Sequence, residues 1–483
     1  MNGKLRCVFY VFSGLFLTSL TTAVHGQEML GISNSNFAGN MGMSLNPSLF
    51  VGSPYLNELN YLSGDFFADN DFAYVKRRTR LFSKSLNGEQ IPEEQFGDYY
   101  TTPPKNMYGS VNLRGPSMIV NKDNYSWGFH TALRSAVSAT DVPLHVAKFI
   151  KDGLDYDPQH GINYTSTPFR AASAVWAELG GTYGKKIYEK RDKEYLAAAV
   201  TVKLLAGFDG FYASFSDFDY IIPSSDVMQV NSVTGEYGHA LSDGRDGAAS
   251  KPFKIRGWGG GLDLGLTYYR KKVHGASDCN KTAEKLKKYN YRAGLSLIDI
   301  GMIRFTRQTG VYSFNNNSAY WTGLDSAVFN STYELDSAIS MQFYGDPEAS
   351  KSASKMNIFL PTALSFQFDY CVTHSVYLNA TVVQGVPLSK KYAIVRASQA
   401  ALSARYETRK WEVALPLTFY EYSKPHLGVA LRYWIFVVGT DRLGSFTGIW
   451  DATGYDFFFG FKSNFCEPAS KRRKKPDCPA YIN

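Results

Sequence analysis

Cysteine is scarce, five in 483 residues. No CxxC occurs, and no Cys/His group has the spacing of a zinc site. Long apolar runs are missing too: beyond residue 26 no stretch of about 20 uncharged apolar residues exists, which excludes a helical membrane protein. Charged residues make up only 19% of the chain, too few for a globally disordered polymer. Histidines are few and scattered, at positions 130, 145, 160, 239, 274, 374 and 426 beyond the leader. They form no HExxH, and no GxSxG accompanies them, so neither metalloprotease nor serine-hydrolase chemistry is indicated. No internal repeat is evident. What is abundant is glycine, 42 residues, and aromatic side chains, 15%. The remaining classes are a soluble exported protein and a membrane barrel whose hydrophobicity is hidden by alternation.

The start is a targeting segment. Lys4 and Arg6 precede an apolar core from Val8 to Leu20, and Ala23, Val24 and Gly26 fit a cut after Gly26. Without Lys4 and Arg6 the chain holds 49 basic and 43 acidic residues. Much of the excess lies in Lys471, Arg472, Arg473, Lys474 and Lys475, so no nucleic-acid footprint spreads over the body. Cys279, Cys371, Cys466 and Cys478 remain after the leader. Cys466 and Cys478 bracket the basic tail and are the disulfide candidate in an oxidising compartment.

The body alternates with period two, which puts successive side chains on opposite faces of a sheet. Leu196, Ala198, Val200, Val202 and Leu204 alternate with Ala197, Ala199, Thr201 and Lys203. Val175, Ala177 and Leu179 alternate with Trp176, Glu178 and Gly180, and Leu262, Leu264 and Leu266 with Asp263, Gly265 and Thr267. Tyr291, Ala293 and Leu295 alternate with Arg292 and Gly294. Toward the end, Leu402, Ala404 and Tyr406 alternate with Ser403 and Arg405, and Trp411, Val413 and Leu415 with Glu412 and Ala414. Such strands are long enough for a tilted membrane crossing, and aromatics close the apolar runs as an interfacial girdle.

The expected fold is all-β, an antiparallel transmembrane barrel of about 14 strands, within a range of 12–16. Its strands are read at 55–68, 107–120, 125–137, 170–184, 195–207, 209–221, 256–270, 289–304, 360–371, 374–384, 396–406, 410–420, 425–438 and 453–465. An extra strand near 309–317 would raise the count. Helical insertions are read from Asp141 to Gly153 and from Ser331 to Phe343, at the lumen or the periplasmic mouth. The organisation is then 1–26 signal peptide, 27–54 lumen segment, 55–465 barrel and 466–483 basic periplasmic tail. Pairing Tyr406 with Trp411 and Leu415 with Leu431 brings Arg405, Glu412 and Arg432 together as a charge cluster inside the wall.

Asn36-Phe37-Ala38-Gly39-Asn40 followed by Leu45-Asn46-Pro47-Ser48 resembles the N-terminal segment of fatty-acid transporter-like outer-membrane barrels. There an Asn-Pro-Ala/Ser element is tucked into the lumen, which implies the same for Asn46, Pro47 and Ser48. Together with the segment Gly294 to Gly301, with Leu360-Pro361-Thr362-Ala363-Leu364-Ser365 and with Leu415-Pro416-Leu417, the chain resembles an uncharacterised family of Bacteroidota outer-membrane barrels. That family is distantly similar to the fatty-acid transporter and to barrel subunits of gliding and type IX secretion. The likeness spans roughly residues 30–465 and transmits no substrate.

No catalytic residues, cofactor or metal are expected. Asp65, Asp69, Asn70 and Asp71 lack EF-hand spacing and read as a polar rim. The functional expectation is a non-catalytic outer-membrane barrel serving an envelope machine as accessory or scaffold subunit. The alternative is a channel for hydrophobic or amphiphilic compounds. Candidate partners are outer-membrane lipid, other envelope proteins and a hydrophobic ligand, not nucleic acid.

Overall fold

The computed structural model describes residues 28–51, 53, 57–77, 79, 92–99, 104–122, 124–190, 193–241, 253–271, 289–324, 327–329, 331–373, 375–408 and 410–465. Within them the strands are β1 (Asn57–Asn70), β2 (Lys105–Arg114 and Ser117–Asn121), β3 (Tyr125–Val142), β4 (Phe169–Lys190), β5 (Glu194–Ser224), β6 (Val227–Ala240), β7 (Gly257–Lys271) and β8 (Tyr289–Phe305). They continue with β9 (Thr309–Thr322), β10 (Met356–Phe359 and Ala363–Cys371), β11 (Val376–Gly385), β12 (Gln399–Glu407), β13 (Trp411–Tyr420), β14 (Lys424–Leu427 and Val429–Tyr433), β15 (Phe436–Thr440) and β16 (Gly454–Phe465). Two helices, α1 (Leu144–Asp152) and α2 (Thr332–Tyr344), interrupt the series.

All these strands except β6 and β9 form the wall, a closed antiparallel barrel of 14 strands. Closure is by β1 and β16, which pair Asn57 with Phe465 and Leu62 with Phe461. Closing the sheet leaves no edge with unpaired amides, the condition for a sheet in lipid. The alternating faces separate as periodicity demands. Leu179, Val202, Leu204, Leu264, Leu295, Leu402 and Leu415 stand exposed, whereas Trp176, Glu178, Lys203, Asp263 and Arg405 are buried. An apolar belt around a closed sheet is far larger than a soluble surface tolerates, and it marks the lipid-facing side of an outer-membrane-type barrel. Trp411 and Tyr433 pair across strands with ring centroids 4.3 Å apart, and Tyr406 is exposed near the same turn.

The count of 14 matches the sequence reading, but two of its strands differ. Segments 195–207 and 209–221 are one 31-residue strand, β5. Conversely, 425–438 folds back on itself as β14 and β15, which pair Tyr433 with Phe436. Trp434 takes a left-handed φ of 54° in that turn. An aromatic there hides the turn from a reading based on glycine and asparagine.

The long β5 carries an extension beyond the wall. Its lower part, residues 194–207, pairs with β7, and its upper part, from Gly210, pairs with β6, which in turn pairs with β9. Strand β6 has no counterpart in the sequence reading. The strand suspected near 309–317 exists as β9 but belongs to the extension, not the wall. Arg256 stitches the level where the two part: its side chain donates to the Phe208 carbonyl at 2.7 Å, to Asp209 at 2.7 Å and to Gln308 at 3.1 Å.

The helices also correct the reading. Both lie on the extension, at the barrel end opposite Asn57 and Phe465, and residues 28–51 fill the lumen instead. Val146 of α1 packs with Tyr220, Ile222, Val230 and Val233, and Ile339 and Phe343 of α2 lie on the same cluster. Pro143 precedes the first turn of α1, and Gly153 ends it. Ser331 caps α2 by accepting the Glu334 amide at 3.1 Å, and Gly345 closes it with a φ of 71°.

Candidate functional site: the plugged lumen

Residues 28–51 form no strand. They coil as successive tight turns, with Ile32 and Ser33 amides both bonding the Met29 carbonyl, followed by a 3-10 helix over Gly39–Ser44. Turns satisfy the backbone locally, so the segment can occupy a lumen without joining the wall. Its apolar side chains are buried: Met29, Ile32 and Met41 pack on Ala414, Ala430, Val437 and Phe458. Leu45 packs on Ile298, Ala363 and Val383.

Polar side chains hold this plug to strands on all sides. Asn46 donates to Gln367 at 2.9 Å and to the Leu266 carbonyl at 3.2 Å, while its own Oδ1 accepts the Ser48 amide at 2.9 Å. That Asx turn is the local reason for Asn followed by Pro. Gly265 leaves room for it, since a Cβ there would collide with Asn46 and Pro47. Ser296 donates to the Leu45 carbonyl at 2.6 Å, Asn34 donates to Thr381 at 2.8 Å, and Lys462 donates to the Ala38 carbonyl at 2.7 Å. Arg114 and Arg292 reach the carbonyls of Asn40 and Asn34.

Two groups of charge line the wall around the plug. In the first, Glu412 and Arg432 face each other on β13 and β14, with Nε 2.8 Å from the carboxylate. Arg405 pairs with Glu407 at 2.9 Å and Asp369 at 3.1 Å, and lies 3.8 Å from Glu412. The plug reaches this group directly. Ser35 donates to Glu412 at 2.8 Å, and the Arg432 guanidinium lies 3.8 Å from the Phe37 ring centre. The strand register here differs from the sequence reading. Tyr406 faces Val413, Arg405 faces Ala414, and Glu407 faces Glu412. Leu415 does not face Leu431, which is opposite Val413. Thr408 closes the turn by bonding the Trp411 carbonyl and amide, which moves the pairing by two residues. A shift of two preserves the face, so all three charges still point inward.

The second group was not singled out from the sequence. Arg134 of β3 grips Asp299 at 2.7 and 2.8 Å and Glu178 at 3.1 Å. Lys203 joins Asp299 at 2.7 Å and Asp263 at 2.8 Å, and His130 lies 2.8 Å from Glu178. Arg396, between β11 and β12, bridges from Asp299 at 3.2 Å to Glu28 of the plug at 2.9 Å. These side chains, with Met43 and Ser44 of the plug, line the cavity left beside it. Burial raises the Glu28 carboxyl above its ordinary range, opposed by Arg396. A visible signal existed: Glu178, Lys203 and Asp263 all sit on the polar face of the quoted alternations. Asp299 was hidden, because it points inward only through a bulge with a φ of 56°.

Other expectations fall elsewhere. Asp65 and Asp69 face the lumen, whereas Asn70 and Asp71 accept backbone amides in the turn beyond β1. Cys371 is buried and its thiol donates to the Thr373 carbonyl at 2.9 Å. Cys466, Cys478, the tail Lys471, Arg472, Arg473, Lys474 and Lys475, and residues 1–26, read as a signal peptide, lie outside the described residues.

The chain belongs to the family of unknown function DUF5723, whose pattern it matches over residues 45–441. No curated protein sequence matches it. Among solved structures it is similar to the deltaS2S3 mutant of the monoaromatic hydrocarbon channel TodX, at 11% identity, 92% of this chain, 98% of that chain and a TM-score of 0.44. It is also similar to the toluene transporter TbuX of Ralstonia pickettii, at 10% identity, 92% and 99% coverage and a TM-score of 0.41. The translocator domain of the autotransporter NalP from Neisseria meningitidis follows at 8% identity, 84% and 89% coverage and a TM-score of 0.29.

Proposed function

We propose that this barrel is a gated passage across the bacterial outer membrane for amphiphilic or hydrophobic compounds, held shut by residues 28–51. The observation that carries the reading is the plug itself. It precedes β1 and stands outside the wall's hydrogen-bond ladder, so it can leave without breaking a strand. Around it the lumen is layered. Toward the extension lie inward Trp176, Leu205, Ile303, Phe305, Ile358 and Leu360, and below them the Arg134–Glu178–Lys203–Asp299 group. An apolar layer over a charged one suits a molecule with a tail and a polar head. The test is uptake into vesicles holding the purified barrel. A long-chain fatty acid is expected to enter faster than through empty vesicles, and a neutral sugar of similar mass is not. Equal entry of both, or neither, contradicts the reading.

The accessory-subunit reading is favoured by a different observation, the extension with its own apolar core and exposed Val328, Met341 and Tyr344. Purification from native outer membrane in mild detergent tests it: a stoichiometric partner lost on removal of α2 supports it, and a solitary barrel contradicts it.

A further inference from the structure

One connection of the wall does not turn back at the rim. Neighbouring antiparallel strands can be joined by two residues, yet residues 386–398 run between β11 and β12. They cross the bore as a strap. The Val395 amide donates to the Ser138 hydroxyl at 2.9 Å. Ser138 lies on β3. Counting round the wall of 14 through β4, β5, β7, β8, β10 and β11 puts β12 halfway round, on the opposite side. On the way the strap bonds the upper piece of β10: Phe359 donates its amide to the Tyr392 carbonyl at 2.9 Å and accepts the Ile394 amide at 3.1 Å. Ile394 is buried in the apolar layer with Trp176, Leu205 and Phe305, and Ala397 is buried with Phe67, Tyr108 and Tyr420. Tyr392 meets the Tyr212 ring edge-on at 4.9 Å. The apolar layer above the charged group is therefore spanned by chain, not open bore.

Arg396 ties this strap to the plug. Its Nε lies 2.9 Å from Glu28, and both side chains are buried. Its other contacts are longer, 3.2 Å to Asp299 and 3.3 Å to the Pro361 carbonyl. Asp299 is already held by Arg134 at 2.7 Å and by Lys203 at 2.7 Å. When the plug leaves, Arg396 loses its shortest partner and becomes the third cation on one carboxylate, a costly position for a buried charge. Moving outward with the strap relieves it. Among the described residues the strap has one bridge to a strand, Ala393 with Phe359. Like the plug, it can move without breaking the wall.

We propose that residues 386–398 are a second gate, across the bore at its extension end, latched shut by Arg396 on Glu28 of the plug. The two gates open in order: departure of the plug withdraws Glu28, and the strap follows. This rests on residues 28–51 being a releasable plug in a passage, and adds that the passage is barred at two coupled levels. Arg396 is a positioning residue for the strap.

The latch is tested in the full chain with Cys279, Cys371, Cys466 and Cys478 replaced by serine and Ala393→Cys added. Folding is read by the heat-dependent gel shift of intact barrels. Ala393 is 3% exposed, so a bulky maleimide reaches a cysteine there only when the strap opens, and the labelling rate follows the open population. Glu28→Gln and Arg396→Gln should each speed labelling about tenfold or more. The double variant should label no faster than the faster single one, because both act through one contact. Single variants that label like the parent, or effects that multiply in the double variant, overturn the latch. Arg396→Gln changes no plug residue, so it carries the test if protease sensitivity of residues 28–51 shows that Glu28→Gln unseats the plug.

The gate is tested by conductance in the chain lacking residues 28–51, in the same serine background, with Phe359→Cys/Ala393→Cys. These bridge partners lie about 4.8 Å apart, within disulfide reach. The oxidised barrel should be silent and the reduced one should conduct. An oxidised barrel that conducts like the reduced one, its disulfide confirmed by mass, overturns the proposal. Silence in both states is resolved by putting Gly-Asn-Gly in place of residues 388–395. Current then overturns the latch and spares the passage, whereas continued silence overturns the passage itself and any gate with it.

Discussion

Arg432 shows how charge works inside this wall. Its guanidinium is 2% exposed, lies 2.8 Å from Glu412 and sits over Phe37. Deleting one member of such a pair strands the other, at a cost of about 3–5 kcal/mol. Arg432→Met is therefore expected to lower unfolding stability by that order in a denaturant titration. Arg432→Met/Glu412→Gln should recover most of the loss, because no bare charge remains. Equal losses in both would mean the pair does not act as a unit. Gly265 makes a complementary point without charge. A valine there occupies the space of Asn46 and Pro47. Gly265→Val should leave the wall folded, read by the heat-dependent gel shift of intact barrels, while making residues 28–51 sensitive to protease. Protection equal to wild type would show that Asn46 is not an anchor. These inward residues were partly legible in the sequence. Arg405, Glu412 and Arg432 stood out because their strands are consecutive and their turns short. Arg134, Glu178 and Lys203 did not, although β3, β4 and β5 are consecutive wall strands, because residues 143–168 separate β3 from β4 and leave its register open, and Asp299 turns inward only through a bulge.

At the scale of elements, alternation told which face of each strand is wet, but not where a strand ends. Nothing in the period marks the point at which β5 leaves the wall for the extension, since lipid-facing and core-facing apolar residues look alike. The turn at Trp434 lacks the usual small residues, so β14 and β15 read as one strand. Merging one pair of strands and splitting another left the count unchanged. The extension makes its own prediction. Helix α2 is tied to β6 by Asp336, which accepts from Tyr237 at 2.9 Å and lies 2.8 Å from His239. Asp336→Ala removes the buried acceptor shared by Tyr237 and His239, a change of about 1–3 kcal/mol. The expected result is faster amide exchange in 332–344 with unchanged exchange in β11 to β14. Loss of protection throughout the barrel would show that the extension and wall do not fold as separate units.

For the whole molecule, the barrel and its stopper have different status in the sequence. The barrel announces itself through many repeated alternations, each weak and all agreeing. The stopper announces itself only through a short resemblance around Asn46, because a coil of tight turns has no period. The central claim is that residues 28–51 close a lumen that is otherwise a passage. Its most direct test is electrical: single-barrel conductance across a planar bilayer, for the full chain and for a chain lacking residues 28–51, each first shown to be folded by the heat-dependent gel shift. The account predicts a full chain that is closed with at most brief openings, and a truncated chain with a steady ohmic current. A full chain that already conducts steadily, or a folded truncated chain as silent as the full one, would contradict it.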